Sequence, residues 1–264
     1  MRLFSSILII IFFPASVLWS QNKVSDKKVI RILSFNILHG ATTKGDFDLD
    51  TIASVITRTQ PDLVALQEVD YKTKRAKQYD LVTELGWRTK MQALFGRAMH
   101  YDGGEYGEGV LSKYSLLSSR KVDLPYSPGH EPRTALEITL QLPSGDTISF
   151  VGTHFDHTRD ETDRIAQAKK VDEVFSNNRF PTILAGDLNA EPGTLPITLL
   201  ERNWLSAYDK RNITFTYPSN HPKKKIDYVL MYPKEKWKVI RTEVIPDAIA
   251  SDHCAFLVVV ELIN

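Results

Sequence analysis

Apolar residues fall in two rhythms along this chain. In "VIRILSFNIL" (29–38) they first alternate with polar ones, which predicts a half-buried strand. In "DLDTIASVITRTQPD" (48–62) Ile52, Val55 and Ile56 recur at helical spacing, and Pro61 stops the run. "DLVALQEV" (62–69) reads as a buried strand, so a strand, helix, strand unit opens the fold. The middle of the chain is strand-rich. "WRTKMQALF", "GVLSKYSLLSSRKV", "TALEITLQL" and "DTISFVGTHF" are strand-like, with a turn at Pro143–Asp146 between the last two. "DETDRIAQAKKVDEVFSNN" predicts a helix with Ile165, Ala168, Val171 and Phe175 on one face. "PTILAGDL", "KIDYVLMY", "KVIRTEVI" and "CAFLVVVEL" predict further strands. Interleaved hairpins and helices fit an α/β fold of two sheets packed face to face with helices outside. No repeat, low-complexity segment or linker divides residues 29–264, which are expected to form a single domain.

The first residues follow neither rhythm. "MRLFSSILIIIFFPASVLWSQN" has one basic residue, an apolar run, small residues and a polar boundary, the layout of a secretory signal peptide. Residues 1–20 are assigned to it, and 21–28 to a short leader. The apolar run is short and carries Pro14, so no transmembrane anchor is expected after cleavage, and the product is secreted or periplasmic. Cys254 is the only cysteine, which excludes an internal disulfide, and it lies in an apolar run as packing.

Charge narrows the partners. The 264-residue chain carries a formal charge of +1, and 42% of it is hydrophobic. Arg2 is the only charge in 1–20, so the remainder is balanced and has no global field to gather polyanions. Nucleic acid is therefore not favoured as a partner. Two local basic runs, Lys72–Lys77 and Lys223–Lys225, are expected to be solvated loops.

Polar residues mark the ends of several apolar strands. They are Asn36, Glu68, His154, the pair Asp187 and Asn189, Asp227, and Asp252 with His253. The oxygen-rich set suits a hard divalent cation, Mg²⁺ or Mn²⁺, and two histidines beside carboxylates suit acid–base work. Together they fit phosphoester hydrolysis. No GxSxG, P-loop, GxGxxG or HExxH is present.

"LSFNILHG", "LVALQEVD", "FVGTHFDH", "ILAGDLNAEP", "KIDYVLM" and "ASDHCAFLV" resemble, in order and spacing, the motifs of the endonuclease/exonuclease/phosphatase superfamily. That resemblance implies a DNase I-like four-layer α/β sandwich with two mostly antiparallel sheets. It implies metal ligation by Asn36, Glu68 and Asp252, and catalytic roles for His154, Asp187, Asn189, Asp227 and His253. His154 and Asn189 would also contact substrate, as would Arg133 in "EPRTALEI". "GEYGEGVLSKY" (Gly104–Tyr114) resembles the segment before the central hairpin but lacks the asparagine often seen in "GNAILS" versions. His157 and Arg164 have no counterpart and are expected to be solvated, and His39 and His130 are expected to be loop residues. The expected activity is a phosphodiesterase on a small or lipid-linked diester. The alternatives are an extracellular DNase I-like nuclease and a non-catalytic binding protein on the same fold.

Overall fold

The computed structural model describes residues 28–263. The signal-like segment 1–20 and residues 21–27 of the leader lie outside the described residues. Two six-stranded sheets face each other. The first contains β1 (Val29–Asn36), β2 (Leu63–Tyr71), β3 (Gln92–Tyr101), β4 (Gly104–Ser112), β11 (Trp237–Ile245) and β12 (Ala255–Leu262). Its order is β11-β12-β1-β2-β4-β3. The second contains β5 (Leu116–Leu124), β6 (Arg133–Gln141), β7 (Thr147–His154), β8 (Thr182–Asp187), β9 (Leu205–Ser206) and β10 (Asp227–Tyr232). Its order is β5-β6-β7-β8-β10-β9. In each sheet one central pair is parallel, β1 with β2 and β7 with β8, and the other pairs are antiparallel.

Strand side chains alternate between faces, and the core follows that period. Ile30, Ile32, Leu63, Ala65 and Val258 of the first sheet meet Ile148, Phe150, Ile183, Ala185 and Val229 of the second in one buried cluster. The other face of the first sheet is covered by α1 (Leu49–Thr59) and α2 (Leu81–Thr89), through Ile52, Val55, Ile56, Leu81 and Leu85. The second sheet is covered by α3 (Thr162–Phe175) and α4 (Leu195–Asn203), through Ala168, Val171, Phe175, Ile197 and Leu200. This is the four-layer sandwich the resemblance implies.

The helices begin where carboxylates can satisfy free backbone N–H groups. Asp48 accepts from Asp50 N and Thr51 N, and Asp80 accepts from Thr83 N. The Asp80 cap explains why α2 ends in a segment read as strand. Leu81, Val82 and Leu85 bury at helical spacing, and only from Gln92 does the chain extend. The sequence reading also missed α4. The segment 109–122, read as one strand, splits at Lys113–Ser115, and its halves lie in different sheets. On α3, Ile165 is only partly buried, and Arg164 and Gln167 take its place on the inner face. Among the described residues no helix is long and apolar enough to cross a membrane.

Gly186 sits in the parallel ladder opposite Thr153, one residue before Asp187. A Cβ there would lie 2.0 Å from the Thr153 carbonyl oxygen. Gly186→Ala must therefore push β7 and β8 apart, a loss of about 2–3 kcal/mol. Urea unfolding should show a lowered midpoint; an unchanged midpoint would mean the ladder tolerates the side chain.

Candidate active site

Asn36, His154, Asp187 and Asp227 converge because each extends the inward alternation of its strand beyond the core. On β1, Ile30 and Ile32 are followed inward by Ser34 and Asn36. On β7, Ile148 and Phe150 lead to Gly152 and His154, and on β8, Ile183 and Ala185 lead to Asp187. Register aligns three of them, since His154 pairs with Asp187 and Asp187 with Asp227 on adjacent strands. They open into a cleft of about 780 Å³ that Glu68, Arg133, His154, Asp187, Asn189 and Asp252 line, with His253 beside them.

Glu68 arrives there by a break in the ladder. Leu66 pairs with Gly109 and Val69 with Gly107, so Gln67 and Glu68 oppose Glu108 alone. Glu68 adopts a left-handed backbone, φ 58°, and Val69 returns to the helix-covered face. Such conformations persist where surrounding structure holds them, often at functional sites. Burial works against the Glu68 carboxylate. Hydrogen bonds from His39 and the Asn36 amide oppose it, and its pKa is held down at about 2.

Asn36 Nδ2 donates to Glu68 Oε1 at 3.1 Å, while Asn36 Oδ1 accepts from Leu38 N at 3.1 Å. Asn36 thus offers Glu68 an N–H, while its amide oxygen keeps a second lone pair. Asp252 is raised above the usual carboxylate range by burial; the His253 charge opposes that shift and the Glu68 charge adds to it. Two hard carboxylates raising each other's cost across a cleft are what a divalent cation relieves.

His253 Nδ1 lies 3.1 Å from Asp227 Oδ2, and Nε2 lies 3.6 Å from Asp187 Oδ2. Burial alone would lower the His253 pKa, but Asp227 and Asp187 overcome it and raise the value to about 10. Ser251 fixes this end, its hydroxyl donating to Asn36 O and accepting from His253 N. The ligand atoms of Asp187, Asp227 and His253 lie within 4.8 Å of one another, close enough for a shared ion. The three also form a triad of two carboxylates on either side of one imidazole. Burial raises Asp187 to about 7, with the Asp227 charge adding and the His253 charge opposing.

His154 is neutral by burial first and then by the Arg133 charge, which push its pKa well below the ordinary value. Arg133 Nη1 donates to His154 Nδ1 at 2.9 Å. An arginine cannot accept, so Nδ1 is the acceptor and the proton sits on Nε2. Asp187 Oδ2 lies 3.5 Å from that nitrogen; Asn189 Nδ2, which donates to Phe155 O at 3.1 Å, approaches it at 2.9 Å but cannot accept its proton. Asn189, at φ 46°, donates its backbone N–H to Asp187 Oδ1 at 2.9 Å.

Several residues differ from expectation. Lys225, expected on a solvated loop, is fully buried under the Phe256 and Tyr228 rings and donates to Asp227 O. Arg164 is buried as well, donating to the carbonyls of Asp156 and Thr158. His157 is exposed but accepts from Arg133 Nη2 at 3.1 Å. His39 is in a loop turn, with Nδ1 3.4 Å from Glu68 Oε2, and His130 pairs with Asp163 at 2.7 Å. The sequence reading missed Tyr106, whose hydroxyl accepts from Arg133 Nη1 at 3.4 Å, and Glu131, 3.4 Å from the same nitrogen. It assigned no role to Glu108, whose buried carboxyl has no partner for either oxygen; burial pushes its pKa well up. The inward alternation with Val110 was the signal available for Glu108.

Residues 33–253 match the Endonuclease/Exonuclease/phosphatase family. The chain belongs to this family. Solved structures agree with the fold. An endonuclease/exonuclease/phosphatase from Beutenbergia cavernae is 22% identical with TM-score 0.72, over 90% of this chain and 72% of that one. A mannosyl-6-phosphatase from Bacteroides thetaiotaomicron is 18% identical with TM-score 0.71, over 89% and 100%. The human Nocturnin catalytic domain with bound sulfate is 21% identical with TM-score 0.68, over 89% and 94%. Family membership makes this chain a phosphoester hydrolase that uses a divalent metal.

The raised His253 pKa sets a direction for pH. Its stabilisation is fully present below the unfolded pKa and is lost as pH rises through about 10. The stability deficit of His253→Gln against wild type should therefore be larger at pH 6 than above pH 10. Equal deficits in urea titrations at both pH values would show that the imidazolium is not what Asp227 and Asp187 stabilise.

Proposed function

We propose that the protein is a secreted or periplasmic phosphodiesterase acting on a small or lipid-linked diester. The observation that carries it is the meeting, in one cleft, of two carboxylates that could hold a cation, Glu68 and Asp252, with the donors Arg133, His154 and Asn189. The near-neutral net charge of the chain favours a small or lipid-linked diester over a polyanion.

Glu68 and Asp252 would hold the cation, Mg²⁺ or Mn²⁺, with Asn36 orienting Glu68. The cation supplies neutralisation of the phosphoryl oxygens. Arg133, His154 Nε2–H and Asn189 offer donors to those oxygens. Asp187, with its raised pKa and an oxygen fixed by the Asn189 N–H, accepts the proton of the attacking water. His253, kept protonated by Asp227, stabilises charge on the departing oxygen side. The signal-like N-terminus supports an extracytoplasmic location.

The basic run Lys72–Lys77, of which Arg75 lines the cleft, favours a second reading, an extracellular nuclease. The balanced net charge opposes it.

Metal removal tests the site. EDTA should abolish hydrolysis of bis-p-nitrophenyl phosphate and Mg²⁺ or Mn²⁺ should restore it. Glu68→Gln should lose roughly a hundredfold or more in kcat/KM while remaining folded. Full activity in EDTA would overturn the proposal. Salt dependence separates the two substrates. Turnover of a small diester should change little between low and moderate salt, and plasmid cleavage should be poor. Efficient plasmid cleavage that collapses as salt rises would make the nuclease the better reading.

A further inference from the structure

The segment between β2 and α2 builds a feature that the phosphoryl-facing groups do not use. Asp70, fully buried, accepts from Arg75 Nε at 2.7 Å and from Arg75 Nη2 at 2.8 Å. Thr73 Oγ1 donates to the same carboxylate at 2.6 Å. The Arg75 backbone N–H donates to Asp102 Oδ2 at 2.8 Å, and Lys74 N donates to Asp102 O at 3.1 Å. Lys72, Lys77 and Gln78 all take left-handed backbone conformations to make this loop. Such conformations are costly for residues other than glycine, and they persist where several anchors over-determine them.

The anchored guanidinium lies against two tyrosines. Its carbon is 4.6 Å from the Tyr101 ring centroid and 5.5 Å from that of Tyr106. Met99 is the register partner of Tyr106 on β3, and all four residues line the cleft. Tyr106 joins this wall to the chemistry, since its hydroxyl accepts from Arg133. The wall therefore stands one aromatic ring away from the Arg133–His154 pair. An alcohol esterified to a phosphorus held there would reach it.

We propose that Arg75, Met99, Tyr101 and Tyr106 form a subsite for a neutral hydroxylated ring, a sugar or cyclitol, carried by the substrate as one of its ester alcohols. This deepens the proposed function and rests on it. The charge of Arg75 is already answered by Asp70, so a second anionic group on the substrate gains little. The guanidinium already covers the Tyr101 and Tyr106 rings that a quaternary ammonium headgroup would need. What the wall offers is directional and flat. Arg75 Nη1 has no hydrogen-bond partner among the described residues and can donate to a hydroxyl. The aromatic and thioether surfaces pack against the C–H face of a ring.

The test compares kcat/KM of the Mg²⁺-loaded protein on three glycerophosphodiesters. Their headgroups are inositol, choline, and a glycerol ending in a second phosphate. The inositol diester should be favoured by about tenfold or more over the other two. In Tyr101→Ala and in Arg75→Lys that preference should shrink to about threefold or less, through KM rather than kcat. Phosphatidylinositol vesicles beside free glycerophosphoinositol would show whether the ring comes from a lipid or a soluble diester, and a ring preference in either arm supports the subsite. Equal kcat/KM on all three headgroups, with metal-dependent hydrolysis of bis-p-nitrophenyl phosphate intact, would overturn the subsite and leave the proposed function standing. A wild-type preference unchanged in Tyr101→Ala and Arg75→Lys would also overturn it. Absence of metal-dependent hydrolysis of every ester would overturn the proposed function, and the subsite with it.

Discussion

A buried ionisable group must find a partner or give up its charge, and the rim between the two sheets is organised around that constraint. Strand alternation drives polar side chains into the space between the sheets as soon as the apolar core ends. Each solution there is different. His253 keeps its charge between Asp187 and Asp227, His154 gives its charge up beside Arg133, and Glu68 keeps its charge with help from His39 and Asn36. The chemistry of the cleft follows from these choices. One imidazole is a cation, the other a neutral donor, and one carboxylate is poised to take a proton.

Much of this was legible in the sequence because a short-range rule produced it. Strand ends such as "LSFN", "FVGTH" and "TILAGD" show an apolar alternation that runs into a polar residue, and the same alternation holds in three dimensions. Motif order and spacing then supplied the family. Asp227 and His253 meet as the motifs imply, although 26 residues separate them.

Less visible were features that depend on tertiary context. Lys225 looks solvated beside Lys223 and Lys224, yet the turn before β10 drives it beneath aromatic rings. Arg164 lies on the inner face of a helix where an isoleucine one position later looked the better candidate. Glu68 reaches the cleft only through a bulge, which no two-residue period can announce. The orientation of the Asn36 amide depends on a backbone N–H two residues on, at Leu38. The pairing of Arg75 with Asp70 was hidden for a similar reason. A basic run reads as surface unless one knows that Asp70 is buried beneath it.

The two sheets also share one wiring diagram. Reading across each gives two antiparallel neighbours, a parallel pair bridged by a helix, and two more antiparallel strands. β1 and β2 in one sheet correspond to β7 and β8 in the other. The cleft lies at the ends of both parallel pairs, and the corresponding positions carry unlike chemistry. Asn36 and Glu68 on one side stand opposite His154 and Asp187 on the other. Two similarly wired halves thus carry unlike groups: an amide and a carboxylate on one side, an imidazole and a carboxylate on the other.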